Sequence, residues 1–139
     1  MSFVLDNSIA MLWLLPQSNP AGLALADKVL TQLQSDGAMA PSLWTLEAAN
    51  VIAKCQRLGK ITQAQASAFV ALLEGLGIVF DASTSQRALH DTLDLARQFR
   101  LSAYDAAYLE LALREQLPLA TLDEDLQTAA MQAGVKLLG

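Results

Sequence analysis

The 139-residue sequence holds one cysteine, one histidine, and no lysine or arginine before Lys28. A lone Cys55 cannot close an internal disulfide, which fits a reducing, cytoplasmic compartment. The missing N-terminal positive charge removes the basic start of a secretory signal. Residues 7–26 carry no charge, yet their longest apolar run is Ile9 to Leu15. Pro16, Gln17, Ser18, Asn19 and Pro20 end that run well short of the roughly 20 residues a membrane span needs. Positive charge is scarce throughout: 9 Lys plus Arg against 14 Asp plus Glu leave a formal charge of −5. That balance argues against loose, salt-driven nucleic-acid binding, which depends on many cationic contacts to phosphate. A metal-assisted enzyme acting on nucleic acid stays open.

Apolar residues are plentiful, at 53% of the chain against 17% charged, with a mean hydropathy of +0.33. Such a chain is not disordered, because it can bury enough surface to offset ordering entropy. The length predicts one domain over residues 1–139, burying roughly 70% of its unfolded-chain surface. No internal repeat, low-complexity tract or linker interrupts it. Ala and Leu together supply 51 of 139 residues, so helix dominates on propensity.

Short β-type runs lie between the helical stretches: Phe3-Val4-Leu5, Ala38-Met39-Ala40, Ile78-Val79-Phe80, Leu117 to Thr121, and Lys136-Leu137-Leu138. They are apolar without alternation, as strands covered on both faces are. Helices are predicted from Asn19-Pro20 to Ser35, from Ser42 to Leu58, from Thr62 to Gly75 or Gly77, and from Thr84 to Arg100. Ser102 to Asp105 and Thr121 to Glu124 read as capping boxes that open two more. This alternation points to an α/β sandwich around a parallel sheet.

In the helix over residues 43–58, Trp44, Ala48, Val51, Cys55 and Leu58 form a core stripe. Glu47, Asn50, Lys54 and Arg57 share a polar face spanning about 80°. That face is either plain solvated surface or the mouth of a site with basic groups leading away from it. Lys54, Arg57 and Lys60, the densest basic cluster, serve either an RNA phosphate or the helix C-terminal dipole. Trp13, Trp44, Tyr104 and Tyr108 read as core or interface aromatics. His90, beside Asp91 and Asp94, reads as surface, and Cys55 as inert core.

Ligands of open α/β sheets bind beyond the carboxyl ends of the strands. Four acids should reach that edge: Asp6 after the first strand, Glu47 and Asp105 in first helical turns, and Asp123 after the fourth strand. Each also has a local explanation as a helix cap or dipole partner, Asp6 included. Together they would repel unless a cation held them, and hard oxygen donors favour Mg2+ or Mn2+ over zinc.

Several segments carry a family resemblance. Val4-Leu5-Asp6-Asn7-Ser8 precedes the apolar Met11 to Leu15, and Pro41-Ser-Leu-Trp-Thr-Leu-Glu47-Ala-Ala-Asn50 is followed by Arg57-Leu-Gly-Lys-Ile-Thr62. Leu101-Ser-Ala-Tyr-Asp105-Ala-Ala-Tyr108 and Leu117-Pro-Leu-Ala-Thr121-Leu-Asp123 complete the set. In this order the chain resembles PIN domains, and among them the VapC-type toxin ribonucleases of toxin–antitoxin pairs. The resemblance implies a three-layer α/β/α sandwich with a short parallel sheet of four to five strands and an acidic pocket at its carboxyl edge. It assigns catalysis to Asp6, Glu47, Asp105 and Asp123, with Asp6 and Asp105 as first-choice Mg2+ ligands. Ser8, Asn50 and Thr121 match supporting positions; Asp125 is an extra acid without a firm counterpart. Asn7 departs from the commoner small residue there. The implied activity is Mg2+-dependent hydrolysis of RNA, neutralised by a small antitoxin. High apolar content adds the expectation of a homodimer.

Two rivals remain. An aspartate-based phosphotransferase would use Asp6 as nucleophile, but a dehalogenase-type phosphatase wants a second Asp where Ser8 stands. A receiver domain wants paired acids at the first strand and a late lysine, and neither is present. A catalytically silent PIN-like interaction module is the other, against which the intact Asp6, Glu47, Asp105 and Asp123 argue.

Overall fold

A computed structural model describes residues 2–139. Strands β1 (Phe3–Leu5), β2 (Ala38–Pro41), β3 (Val79–Asp81) and β4 (Leu119–Ala120) form one parallel sheet in the order β3-β2-β1-β4. Helices α1 (Asn7–Leu14), α2 (Leu23–Asp36), α3 (Trp44–Arg57), α4 (Gln63–Glu74), α5 (Thr84–Arg87), α6 (Leu93–Phe99), α7 (Ala103–Glu115) and α8 (Glu124–Ala133) flank it. The protein therefore has an α/β fold built on a four-stranded parallel sheet. Among the described residues, no helix is long and apolar enough to cross a membrane.

The sheet order decides where the site lies. β1 is inside the sheet, its Phe3, Val4 and Leu5 wholly buried, and pairs with β2 on one side and β4 on the other. Each such side chain contributes about 1.5–3 kcal/mol on burial. Whatever follows β1 therefore emerges between its neighbours. α7 is buried continuously from Ala106 to Ala112, because it packs on β1 and β2 as well as on α6 and α8. A helix enclosed this way has little freedom to shift, and its first two turns carry Asp105 and Tyr108.

Several expected boundaries move. The segment Lys136–Leu138 contributes only an isolated bridge, Leu119 to Leu137, so the fifth strand is reduced to one contact. The strand expected over Leu117–Thr121 keeps only Leu119 and Ala120, because Thr121 turns away to another partner. The helix expected from Pro20 begins as a 3-10 turn, Pro20–Gly22, and becomes α2 only at Leu23. Gly22 there packs so closely on Leu122 that a Cβ would sit 3.0 Å from its methyl carbons. The helix over Thr84–Arg100 is broken by a π-helical turn at Ala88–Thr92 and ends on a left-handed Arg100. β3 is an edge strand with Val79 and Phe80 exposed, not covered on both faces.

On α3 the buried stripe is Trp44, Ala48, Ile52 and Cys55, with Leu58 exposed. The stripe drifts because Trp44 and Ala48 face the main core, whereas Ile52 and Cys55 join a second cluster with Ile61, Ala66 and Phe69. At Thr62 the start of α4 is a full capping box with Gln65, bonds of 2.8 and 3.1 Å. At Ser102 only one half forms, the hydroxyl accepting the Asp105 N–H at 3.1 Å.

Candidate active site

Asp6 leaves the end of β1 and is only 5% exposed. A buried carboxylate needs donors, and two hydroxyls supply them. Thr121 Oγ1 donates to Asp6 Oδ2 at 2.6 Å, and Ser8 Oγ donates to the same oxygen at 2.7 Å. Both hydroxyls also accept: Thr121 from the Asp123 N–H at 3.0 Å, Ser8 from the Leu122 N–H at 3.1 Å. The loops after β1 and β4 are thus laced together around one acid. Asp6 occupies the position before α1 but does not cap that helix with its side chain; the hydroxyls take it instead.

The expected capping box at Thr121 gives way to the same competition. α8 is capped by Asp123, whose Oδ1 accepts the Leu126 N–H at 2.9 Å. A charge-assisted bond to Asp6 is stronger than a neutral cap, so Thr121 serves the carboxylate.

Electrostatics show which acids share the space. Burial is the main cause raising the Asp6 pKa, opposed by its two hydroxyl donors and reinforced by the charge of Asp123. Asp105 is pushed up to about 6, first by burial, then by Asp123 and Asp6, with a smaller contribution from Asp125. Glu47 is raised by burial first, opposed by a hydrogen bond from Tyr108, and further raised by Asp6 and Asp105. Asp6 therefore lies in the field of Asp123, Glu47 in those of Asp6 and Asp105, and Asp105 in those of Asp123 and Asp6, each partly dehydrated by burial. Among the described residues, no three Asp, Glu, His or Cys side chains are already gathered as a metal-holding group. The acids' donors are all carboxylate and hydroxyl oxygens, a set that fits a hard divalent cation such as Mg2+ or Mn2+.

The remaining expected residues are placed less centrally. Asn50 and Asp125 are exposed, Asp125 acting on Asp105 only through its charge. Lys54 and Arg57 occupy the last turn of α3, and Arg57 stands ten residues, or about 15 Å, along the helix from Glu47. Lys60 follows on the exposed turn beyond. His90 is exposed and Cys55 is buried and unpaired. Trp13 donates to the Ala26 carbonyl at 2.9 Å, and Trp44 lies in the core against Phe80. Tyr104 is not a core residue: it is 65% exposed, one position before Asp105.

Two features escape a reading of the sequence. Tyr108, expected as core or interface, is wholly buried and donates its hydroxyl to Glu47 Oε1; its spacing of three from Asp105 was the available signal. A second charged group joins Arg114 to Asp81, at 3.1 and 2.6 Å, and to Glu110, at 2.8 and 2.9 Å. No local signal links Asp81 to Arg114, 33 positions away.

An open parallel sheet with acids clustered beyond its inner strand places the chain among the α/β proteins that bind ligands at the carboxyl edge. The family model of the PIN domain matches residues 3–131, and the chain belongs to the PIN domain family. PIN domains are typically nucleases and generally use divalent metals. Among solved structures, the chain is similar to that titled "Crystal Structure of PAE2754 from Pyrobaculum aerophilum". The likeness has a TM-score of 0.67 at 22% identity, over 93% of this chain and 84% of that one. No curated protein shows significant sequence similarity.

Proposed function

We propose that the protein is a Mg2+-dependent endoribonuclease of the VapC toxin type, acting as a single domain in the cytoplasm and held in check by a small cognate antitoxin. The observation that carries the reading is the buried Asp6 carboxylate beyond the inner strand, dressed by the Ser8 and Thr121 hydroxyls, with Asp123, Glu47 and Asp105 close enough for charge to couple them to it. Asp6 and Asp105 are the first-choice ligands of Mg2+ or Mn2+. Glu47 and Asp123 complete or orient the set, and Ser8 and Thr121 hold Asp6 in place. A divalent cation there supplies charge neutralisation at the phosphodiester and a more acidic water.

Two such cations would take the formal charge from −5 to −1, so an acidic pI is compatible with an RNA substrate. Lys54, Arg57 and Lys60 extend from the α3 end of the pocket as a local basic track for phosphate. Asn50 and Asp125 are assigned supporting roles in this reading. The exposed Val79, Phe80 and Leu46 support a second copy of the chain as a partner.

The deciding experiment incubates purified protein with RNA in Mg2+, in Mn2+ and in chelator, and maps the 5′ ends produced. Cleavage only with metal, abolished in Asp105→Asn, supports the reading. Full activity in chelator, or in that variant, rejects it. RNA binding without cleavage under any metal condition leaves the PIN-like interaction module in its place.

A further inference from the structure

Tyr108 is a fully buried aromatic whose hydroxyl meets a carboxylate of the acidic pocket. It stands on the second turn of α7, three residues beyond Asp105, and donates to Glu47 Oε1 on α3, 61 positions away. A phenylalanine would fill the same volume, so packing does not account for the oxygen. A buried phenol needs a partner, and most such partners are backbone carbonyls. This one is a side chain already pressed by the charges of Asp6 and Asp105.

The two most constrained acids show one pattern. Both hydroxyls on Asp6 converge on Oδ2, and Oδ1 takes neither. At Glu47 the phenol engages Oε1. Each acid has one oxygen held by a side-chain hydroxyl. For Asp6, on a rigid strand end with a short side chain, the tie is a refinement. For Glu47, on the half-exposed face of a helix with three rotatable bonds, it decides where the carboxylate points.

We infer that Tyr108 is a positioning residue of this site: by holding Glu47 Oε1 it fixes the orientation of the carboxylate that would serve the divalent cation. The inference rests on the metal site proposed above. It also explains why Tyr108 and Asp105 share one face of α7: the same buried helix delivers one acid and aims another.

The test is a Mn2+ titration followed by electron paramagnetic resonance, on the wild type, Tyr108→Phe, Glu47→Ala and the double variant. Outer partners of metal ligands contribute about 10–100-fold in affinity. Tyr108→Phe is therefore expected to weaken Mn2+ binding about tenfold or more. In the Glu47→Ala background, removing the hydroxyl should change nothing further, since the pair acts as a unit. RNA cleavage by Tyr108→Phe should fall in kcat at low Mn2+, recover at high Mn2+, and keep its KM for RNA. Equal Mn2+ affinity in wild type and Tyr108→Phe overturns the inference alone, as does an undiminished effect of Tyr108→Phe in the Glu47→Ala background. A wild type that binds no Mn2+ overturns the metal site and this inference together. Melting curves in chelator show whether each variant is folded. If Tyr108→Phe is not, the same titration with Glu47→Gln decides: tenfold weaker binding supports Glu47, the carboxylate that Tyr108 holds, as a ligand of the cation, and unchanged binding overturns it.

Discussion

Thr121 and Asp6 lie 115 positions apart, and the threonine hydroxyl reaches the buried carboxylate at 2.6 Å while accepting the Asp123 N–H at 3.0 Å. One hydroxyl thus serves the first acid of the pocket and positions the last. Replacing Thr121 by Val keeps the volume and removes both bonds. The expected cost is about 1–3 kcal/mol of stability, with a marked fall in metal-dependent cleavage. Thr121→Ser should restore most of both. Urea unfolding and a cleavage assay on the two variants are the measurements, and equal behaviour of Val and Ser would remove the role assigned to the hydroxyl.

Asp6→Asn separates stability from activity. The substitution takes a repelled, desolvated charge out of the pocket while an amide oxygen still accepts from Ser8 and Thr121. In chelator the variant should melt at or above the wild-type temperature, yet cleave no RNA. Mn2+ should raise the melting temperature of the wild type by mass action and leave the variant unmoved. A variant that loses stability in chelator and keeps its cleavage would contradict both halves.

The pocket acids also set a pH dependence. Burial and neighbouring charge lift Asp105 from 3.8 to about 6, and lift Asp6 and Glu47 in the same direction. A carboxyl that binds its proton more tightly in the folded state stabilises the fold at low pH and loses that contribution as pH rises through the raised value. Metal-free protein should therefore melt at lower temperature at pH 7.5 than at pH 5. Asp105→Asn should narrow the gap, and Mn2+ at pH 7.5 should close much of it. Asp81 does not interfere, because its bond to Arg114 holds its pKa below the usual carboxylate value and keeps it ionised across this range. A wild-type melting temperature that rises from pH 5 to 7.5 in chelator speaks against the electrostatics described.

Arg114 reports on the other charged group. Its guanidinium is divided between two buried carboxylates, Asp81 and Glu110. Removing one partner of a buried pair strands the others, at a typical cost of about 3–5 kcal/mol. Arg114→Met should lose stability on that scale in denaturant unfolding, whereas the surface variant Arg97→Met should lose almost nothing. Comparable losses for the two would show that burial adds nothing to the Arg114 network.

The basic end of α3 gives a binding prediction. If Lys54 and Arg57 neutralise RNA phosphates, the double Ala variant should bind single-stranded RNA with a salt slope shallower by about 1.4, from two contacts. Filter binding across a range of KCl reads this directly. An unchanged slope assigns the two cations to the helix dipole.

Local chemistry made much of the fold legible. β1 coincides with Phe3-Val4-Leu5, α4 starts at the Thr62 cap, and α7 starts at Ser102. The short sheet edges were less so, because Thr121 reads as a helix cap in its own segment and is recruited by an acid from the other end of the chain. The same applies to α3, where a stripe at helical spacing predicts Leu58 inside. Only the second cluster around Phe69 tells Ile52 from Leu58. Asp6, Glu47, Asp105 and Asp123 could be singled out as acids near strand ends, and the structure brings them into one field. Tyr108 and the Asp81–Arg114 pair could not, since their meaning lies in a partner 61 or 33 positions away.

The placement of β1 beside β4 has a consequence for the timing of activity during synthesis. The first strand of this sheet in chain order is paired with the last, and one of the two hydroxyls that dress Asp6 belongs to residue 121. The ribosome must therefore have made the segment through Thr121 before the two strands can pair and Asp6 can take both its hydroxyls. A nascent fragment carrying Asp6, Glu47 and even Asp105 still wants its closing strand. An enzyme proposed to cut RNA thus completes the dressing of Asp6 only after Thr121 has emerged from the machine built of RNA that is making it.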